Sequence, residues 1–168
     1  TLDRFNPGGF HWHTRIVEFQ DVTDWNNNLV FETDVIPYRK NSYRGNLLFA
    51  RNAENDRGFF FLKEAPASGV QPAYGGGDFT AEFGDFTVTG LGVTEKDLRE
   101  EEWVKAYGCV LGVWSGGELE QLTALRSYQK NIRKLLPGRD EMVMMNTWGD
   151  RSQDTKVNER FCLAEVRK

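Results

Sequence analysis

The chain predicts a mainly β fold: an antiparallel β-sandwich, followed by a linker helix and one strand-loop-helix unit. Three observations carry this reading. Short runs rich in Phe, Val, Ile and Thr recur between Gly-, Pro- and Asn-containing turns over residues 10–114. At Ser115 the period changes, and leucines then recur at helical spacing as far as Pro137-Gly138. Finally, Met142 to Met145 form an apolar run without alternation, as in a parallel strand covered on both faces. The expected organisation is a sandwich over residues 1–114, a helix and connection over 115–140, and a βα unit over 141–168.

The 168 residues suffice for one substantial core. The net charge of −4, with Lys and Arg scattered among more numerous acids, leaves no basic face for nucleic acid. No apolar run has the length needed to span a bilayer, so a membrane partner is not expected either. Cys109 and Cys162 lie far apart, and neither has a His or a second Cys at ligand spacing. Neither a disulfide framework nor a metal or other cofactor is expected.

The first strand is read over residues 10–20, after Pro7-Gly8-Gly9. Period-two alternation puts His11 and His13 on one face of it. Without a further ligand pattern nearby, these read as solvent-facing or hydrogen-bonded histidines. Residues 21–28 are polar apart from Trp25, which marks a loop. Two readings of Trp25 stand side by side. It folds back onto the core, or it forms a stacking platform with Asp24 and Asn26 as hydrogen-bonding neighbours, the combination that recognises a sugar.

Leu29 to Ile36 alternates as a strand that Pro37 ends, and residues 46–50 make another. Gly58 to Lys63, with three consecutive phenylalanines, reads as a central strand. The loop over residues 66–78 carries Gly75-Gly76-Gly77 but no phosphate-binding pattern. Phe79, Ala81 and Phe83, then Phe86 and Val88, suggest a hairpin turning at Gly84-Asp85. Thr94 to Glu102 is acidic and reads as surface. A long strand is expected from Trp103 to Trp114. Ser115 and Glu118 form a capping-box pattern for a helix with Leu119, Leu122, Leu125, Ile132 and Leu136 on its apolar side. In the final unit Ser152 or Asp154 is placed to cap a helix with a Val157, Phe161, Ala164 stripe.

Three stretches resemble the α-galactosidase family known as glycoside hydrolase family 36. They are Asp24-Trp-Asn-Asn-Asn-Leu-Val30, Gly58-Phe-Phe-Phe-Leu-Lys-Glu-Ala-Pro66 and Met144-Met-Asn-Thr-Trp-Gly-Asp-Arg-Ser-Gln-Asp154, the last being the most specific. The resemblance implies a supersandwich of the galactose-mutarotase-like kind packed against a (β/α)8 barrel, of which residues 141–168 would be the first unit. It implies hydrolysis of terminal α-galactosides by a retaining two-aspartate mechanism, with a galactoside-type carbohydrate as the partner. The aspartates of that mechanism belong to later barrel strands that this chain does not contain, so no catalytic residue is assigned. A barrel site gathers residues from several strand ends, and the chain alone is expected to be inactive.

Residue by residue, the resemblance places Trp148 at the wall of the sugar pocket, with Asn146, Asp150 and Arg151 bordering it. The Trp-Gly-Asp-Arg form differs from the Trp-Glu-Ala form common in the family, which leaves sugar and linkage open. Two alternatives stand beside the glycosidase reading: a free-standing carbohydrate-binding module using Trp12, Trp25 or Trp114, and a structural scaffold. With the catalytic barrel that would be its partner missing, a strand at 142–145 lacking parallel neighbours is expected to be accommodated by folding onto the sandwich, by disorder, or by pairing with a second copy in a homo-oligomer. Dimerisation or disorder is expected beyond about residue 140.

Overall fold

The structure, a computed structural model, describes residues 2–19, 30–66, 76–142 and 158–167. The chain divides into two compact units, Thr1–Asn131 and Ile132–Lys168.

The first unit is a β-sandwich followed by a helix. One sheet has five strands in the order β3-β2-β5-β6-β9: β2 Trp12–Phe19, β3 Val30–Val35, β5 Leu47–Asn52, β6 Arg57–Glu64 and β9 Gly108–Ser115. The other has four, β1 Leu2–Phe5, β4 Asn41–Tyr43, β7 Phe79–Glu82 and β8 Asp85–Val88, in the order β1-β8-β7-β4. All neighbouring pairs are antiparallel.

Alternation decides what each face meets. Trp12, Ile16, Leu48, Ala50, Phe59 and Phe61 point from the large sheet toward Phe79, Ala81, Phe86 and Val88 of the small one. Phe59 sits at the centre, with ring centroids of Phe5, Trp12, Phe61 and Phe86 at 5.0, 5.3, 5.4 and 5.0 Å, all near edge-to-face. Such pairs each contribute about 0.5–1.5 kcal/mol beyond area burial. The opposite face of the large sheet carries Val17, Leu47, Phe49, Phe60 and Trp114, with Ala124 and Leu125 of the helix α1, Glu118–Ile132, packed against them. Because β6 is covered on both faces, its three phenylalanines are all buried, as expected for a central strand.

A buried ion pair joins the sheets at one end. Lys63 of β6 donates from Nζ to Asp78 Oδ1, and both side chains are fully enclosed. The other Asp78 oxygen accepts the Gly45 amide at 2.9 Å. On the helix side, Trp114 lies across its cross-strand partner Gly58, where an added Cβ would meet the indole at 2.1 Å.

Several expectations need correction. The hairpin turns at Phe83-Gly84 rather than at Gly84-Asp85, because Asp85 pairs with Glu82; Phe83 takes φ 50° and its ring is exposed. The strand expected from Trp103 starts at Gly108, and Trp103 is fully exposed. Ser115 does not cap α1, since it remains in the β9 ladder opposite Arg57. The helix starts at Glu118, with the Gly117 amide held by Glu120 Oε2 at 2.9 Å. Its buried side is also rotated: Gln121, Ala124 and Leu125 face the sheet while Leu119 and Leu122 face out. The helix ends at Ile132, short of Leu136. Trp12 and Trp114 are core residues, 5% and 8% exposed, and so are not stacking platforms.

In the second unit Asp140 accepts the Leu136 amide at 3.0 Å and Arg139 Nε at 2.9 Å, closing a turn. The Leu136 amide foremost, and then the Arg139 hydrogen bond, lower the pKa of that carboxylate from the ordinary value; burial opposes them, and the Arg133 charge adds to the lowering. The short helix α2, Glu159–Val166, is capped by Asn158, whose Oδ1 accepts the Phe161 amide at 3.0 Å, rather than by Ser152 or Asp154. Met142 is exposed and outside any strand, and residues 143–157 fall outside the described residues.

Candidate functional site

On the helix-facing side of the large sheet the registers build a polar row beside the apolar one. Arg15 stands opposite Asp34 on one neighbour and Phe49 on the other, and His13 stands opposite Arg51. Since β2 and β5 bury their other faces in the sandwich, these side chains must point toward the helix side. There the first turns of α1 stop short of covering them. His13, Arg15, Asp34, Phe49, Arg51, Glu118 and Gln121 enclose a groove of about 260 Å³. This is just under the ~300–1,000 Å³ typical of small-molecule sites.

The charges in the groove compensate one another. Arg15 donates from Nε to Asp34 Oδ1 at 3.1 Å and from Nη1 to Glu118 Oε1 at 3.0 Å. The Asp34 hydrogen bond raises the Arg15 pKa above its ordinary value, partial burial opposes this, and Glu118 adds to the rise. Arg51 pairs with Asp56 at 3.3 Å. Each of these contacts uses a single prong, so N–H groups on both guanidiniums and a second oxygen on each carboxylate stay available.

Two groups in the groove are uncommitted. Gln121 is only 8% exposed, yet its carboxamide makes no hydrogen bond to another described residue. The exposed His13 imidazole is likewise without a hydrogen bond among the described residues. The Gln121 carboxamide atoms still reach solvent from the groove, so a ligand there would replace water as their partner.

A second cleft of about 400 Å³ lies where Gly8-Gly9 approaches Trp12, Asn52 and Asn55. Three of its polar atoms are engaged by the neighbouring backbone. Trp12 Nε1 donates to Gly8 O at 3.0 Å, and Asn52 and Asn55 accept the Glu54 and Arg57 amides at 2.8 and 3.2 Å. At the surface, Phe10, Phe83 and Tyr38 form a chain of exposed rings, with His11 Nδ1 2.8 Å from the Tyr38 hydroxyl. The Phe10 and Phe83 rings meet at 83°, so they cover one another's edges rather than presenting one flat face. Among the described residues no group of three His, Cys, Asp or Glu is placed to hold a metal.

The site residues inferred from sequence, Asp24, Trp25, Asn26, Asn146, Trp148, Asp150 and Arg151, all lie outside the described residues. His11 and His13 part company: His11 precedes β2 and meets Tyr38, while His13 enters the groove. Sequence reasoning missed the groove. A signal existed in the polar side of the β2 and β3 alternation, His13, Arg15, Glu32 and Asp34, whose apolar counterparts mark the sandwich core. Gln121 carried no signal, because its burial follows from the rotation of α1.

Comparison of the chain with protein-family models, with curated proteins and with solved structures found no match.

Proposed function

We propose that this chain is the non-catalytic amino-terminal portion of a glycoside hydrolase of the α-galactosidase type, placing a β-sandwich beside a catalytic barrel. The observation that carries the reading is the order of elements: a β-sandwich followed directly by a helix, ahead of the Asn146-Thr147-Trp148-Gly149-Asp150-Arg151 stretch. The Gly58 to Pro66 stretch that resembles the family falls on β6, the strand covered on both faces. In this reading Trp148 would stack on the pyranose face and Asp150 and Arg151 would take its hydroxyls, while the chemistry belongs to later barrel strands.

The test is to express the protein encoded by the whole reading frame that contains these residues and to assay it with 4-nitrophenyl α-galactoside, alongside this chain alone. Hydrolysis by the whole protein and none by the chain is expected. Hydrolysis by the chain alone, or a whole protein inactive on α-galactosides, would overturn the proposal. A second reading, a carbohydrate-binding module, is favoured by one observation: the charge-compensated groove with its uncommitted Gln121 and His13.

A further inference from the structure

We infer that the groove between the large sheet and the first turns of α1 is a binding site for one unit of a neutral saccharide, held by Gln121 and His13. The inference deepens the carbohydrate reading above and rests on it for the ligand class, though not for the sugar's identity.

The walls decide the chemistry. An anion is disfavoured because Arg15 is already shared by Asp34 and Glu118, and Glu32 stands close enough to add to the same field. An apolar ligand would strip water from the Gln121 carboxamide and from the spare N–H groups and oxygens of the Arg15, Asp34 and Glu118 pairs, at a cost for each. A cation meets Arg15 and Arg51 on the way in. A polyol suits all of these groups at once, since each hydroxyl both donates and accepts. The free carboxylate oxygens of Asp34 and Glu118 accept, the spare guanidinium N–H groups donate, and the Gln121 carboxamide does both. Phe49, almost wholly buried, adds a small apolar edge at the base of the groove for the C–H groups of a ring.

The preformed ion pairs matter as well. Arg15 is fixed between two carboxylates, and α1 holds Gln121 against the sheet through Ala124 and Leu125. Less side-chain freedom is therefore lost on binding. The size of the groove, about 260 Å³, limits it to a single sugar ring with its neighbours outside.

The experiment is calorimetry and 1H–15N NMR on the full chain. The probes are methyl α-galactoside, methyl α-glucoside, methyl α-mannoside and melibiose, with sodium sulfate as the anion control. Saturable binding of at least one saccharide is expected, with shifts in the Gln121 side-chain NH2 signals. Gln121→Ala and His13→Ala should each weaken it about 2–10-fold, the effect of one net hydrogen bond. Phe10→Ala, on the separate aromatic surface, should leave binding unchanged. His13 is exposed, so its variant tests the site even if the Gln121 variant folds poorly. Binding by sulfate alone, no saccharide binding, or saccharide binding that neither variant weakens would overturn the inference. The two proposals fail separately: a whole protein active on α-galactosides with no saccharide in the groove removes only this one. Saccharide binding in the groove with an inactive whole protein removes only the glycosidase.

Discussion

Replacing Lys63 by Met leaves the Asp78 carboxylate enclosed between the sheets with the Gly45 amide as a remaining donor. Both side chains of the pair are 0% exposed, so water screens neither partner. Breaking a buried pair by removing one partner costs about 3–5 kcal/mol, because the other charge stays buried without its counter-charge. With a urea m-value of about 2 kcal/mol/M, the unfolding midpoint should fall by about 1.5–2.5 M. Asp78→Ala should cost as much or more, since it also strips the Gly45 amide of its acceptor. The double variant Lys63→Met with Asp78→Leu should recover a large part of the loss, because no charge is then left inside. Urea melts followed by tryptophan fluorescence measure all three. A single-variant midpoint within about 0.5 M of the parent, or a double variant no better than Lys63→Met, would refute the view that this pair holds the sheets together at their Gly45 end.

Gly58→Ala should destabilise by about 1–3 kcal/mol and move the fluorescence of Trp114, since the new Cβ would sit 2.1 Å from the indole; thermal melts check this. Cys109 should react slowly with iodoacetamide at neutral pH and faster in urea, because burial first, and then the Glu64 charge, pushes its thiol pKa up; mass spectrometry of the labelled protein gives the rates. The Asp97 carboxyl, held below the usual range by the Thr94 hydroxyl at 2.7 Å and amide at 2.8 Å, should titrate closer to normal in Thr94→Val. As its folded pKa is the depressed one, its stabilisation is present above about pH 4 and is lost as acid passes the folded value. Side-chain carboxyl NMR titration follows it.

The sandwich was legible because its signal is local. Alternation along β2, β5 and β6 is imposed by the pleat, and Phe59-Phe60-Phe61 can be apolar throughout only where both faces are covered. What sequence could not supply was rotation and register. Leu119 and Leu122 look like the obvious buried side of α1, yet the Gly116-Gly117 connection, with Gly116 at φ 117°, turns the Gln121 and Leu125 side onto the sheet. In the same way, the meeting of Arg15 with both Asp34 and Glu118 depends on a register and on a helix start more than a hundred residues away. A site assembled like this leaves no contiguous motif.

The strand order has a consequence during synthesis. Strands β2, β3, β5 and β6 form one continuous sheet from residues 12–64, and by then both of its apolar faces exist. One face waits for β7 and β8 to emerge, and the other for Leu125 of α1. At the usual ribosomal pace of about 5–20 residues per second, the sixty or so residues between Glu64 and Leu125 take on the order of 3–12 s. Phe59 lacks its final cover until β8 has emerged, and Phe60, on the opposite side of the same nascent sheet, lacks its own throughout that interval. Slowing translation downstream of Glu64 should therefore lower the soluble yield of this chain, and a trigger-factor-type holdase bound to the nascent chain should restore it.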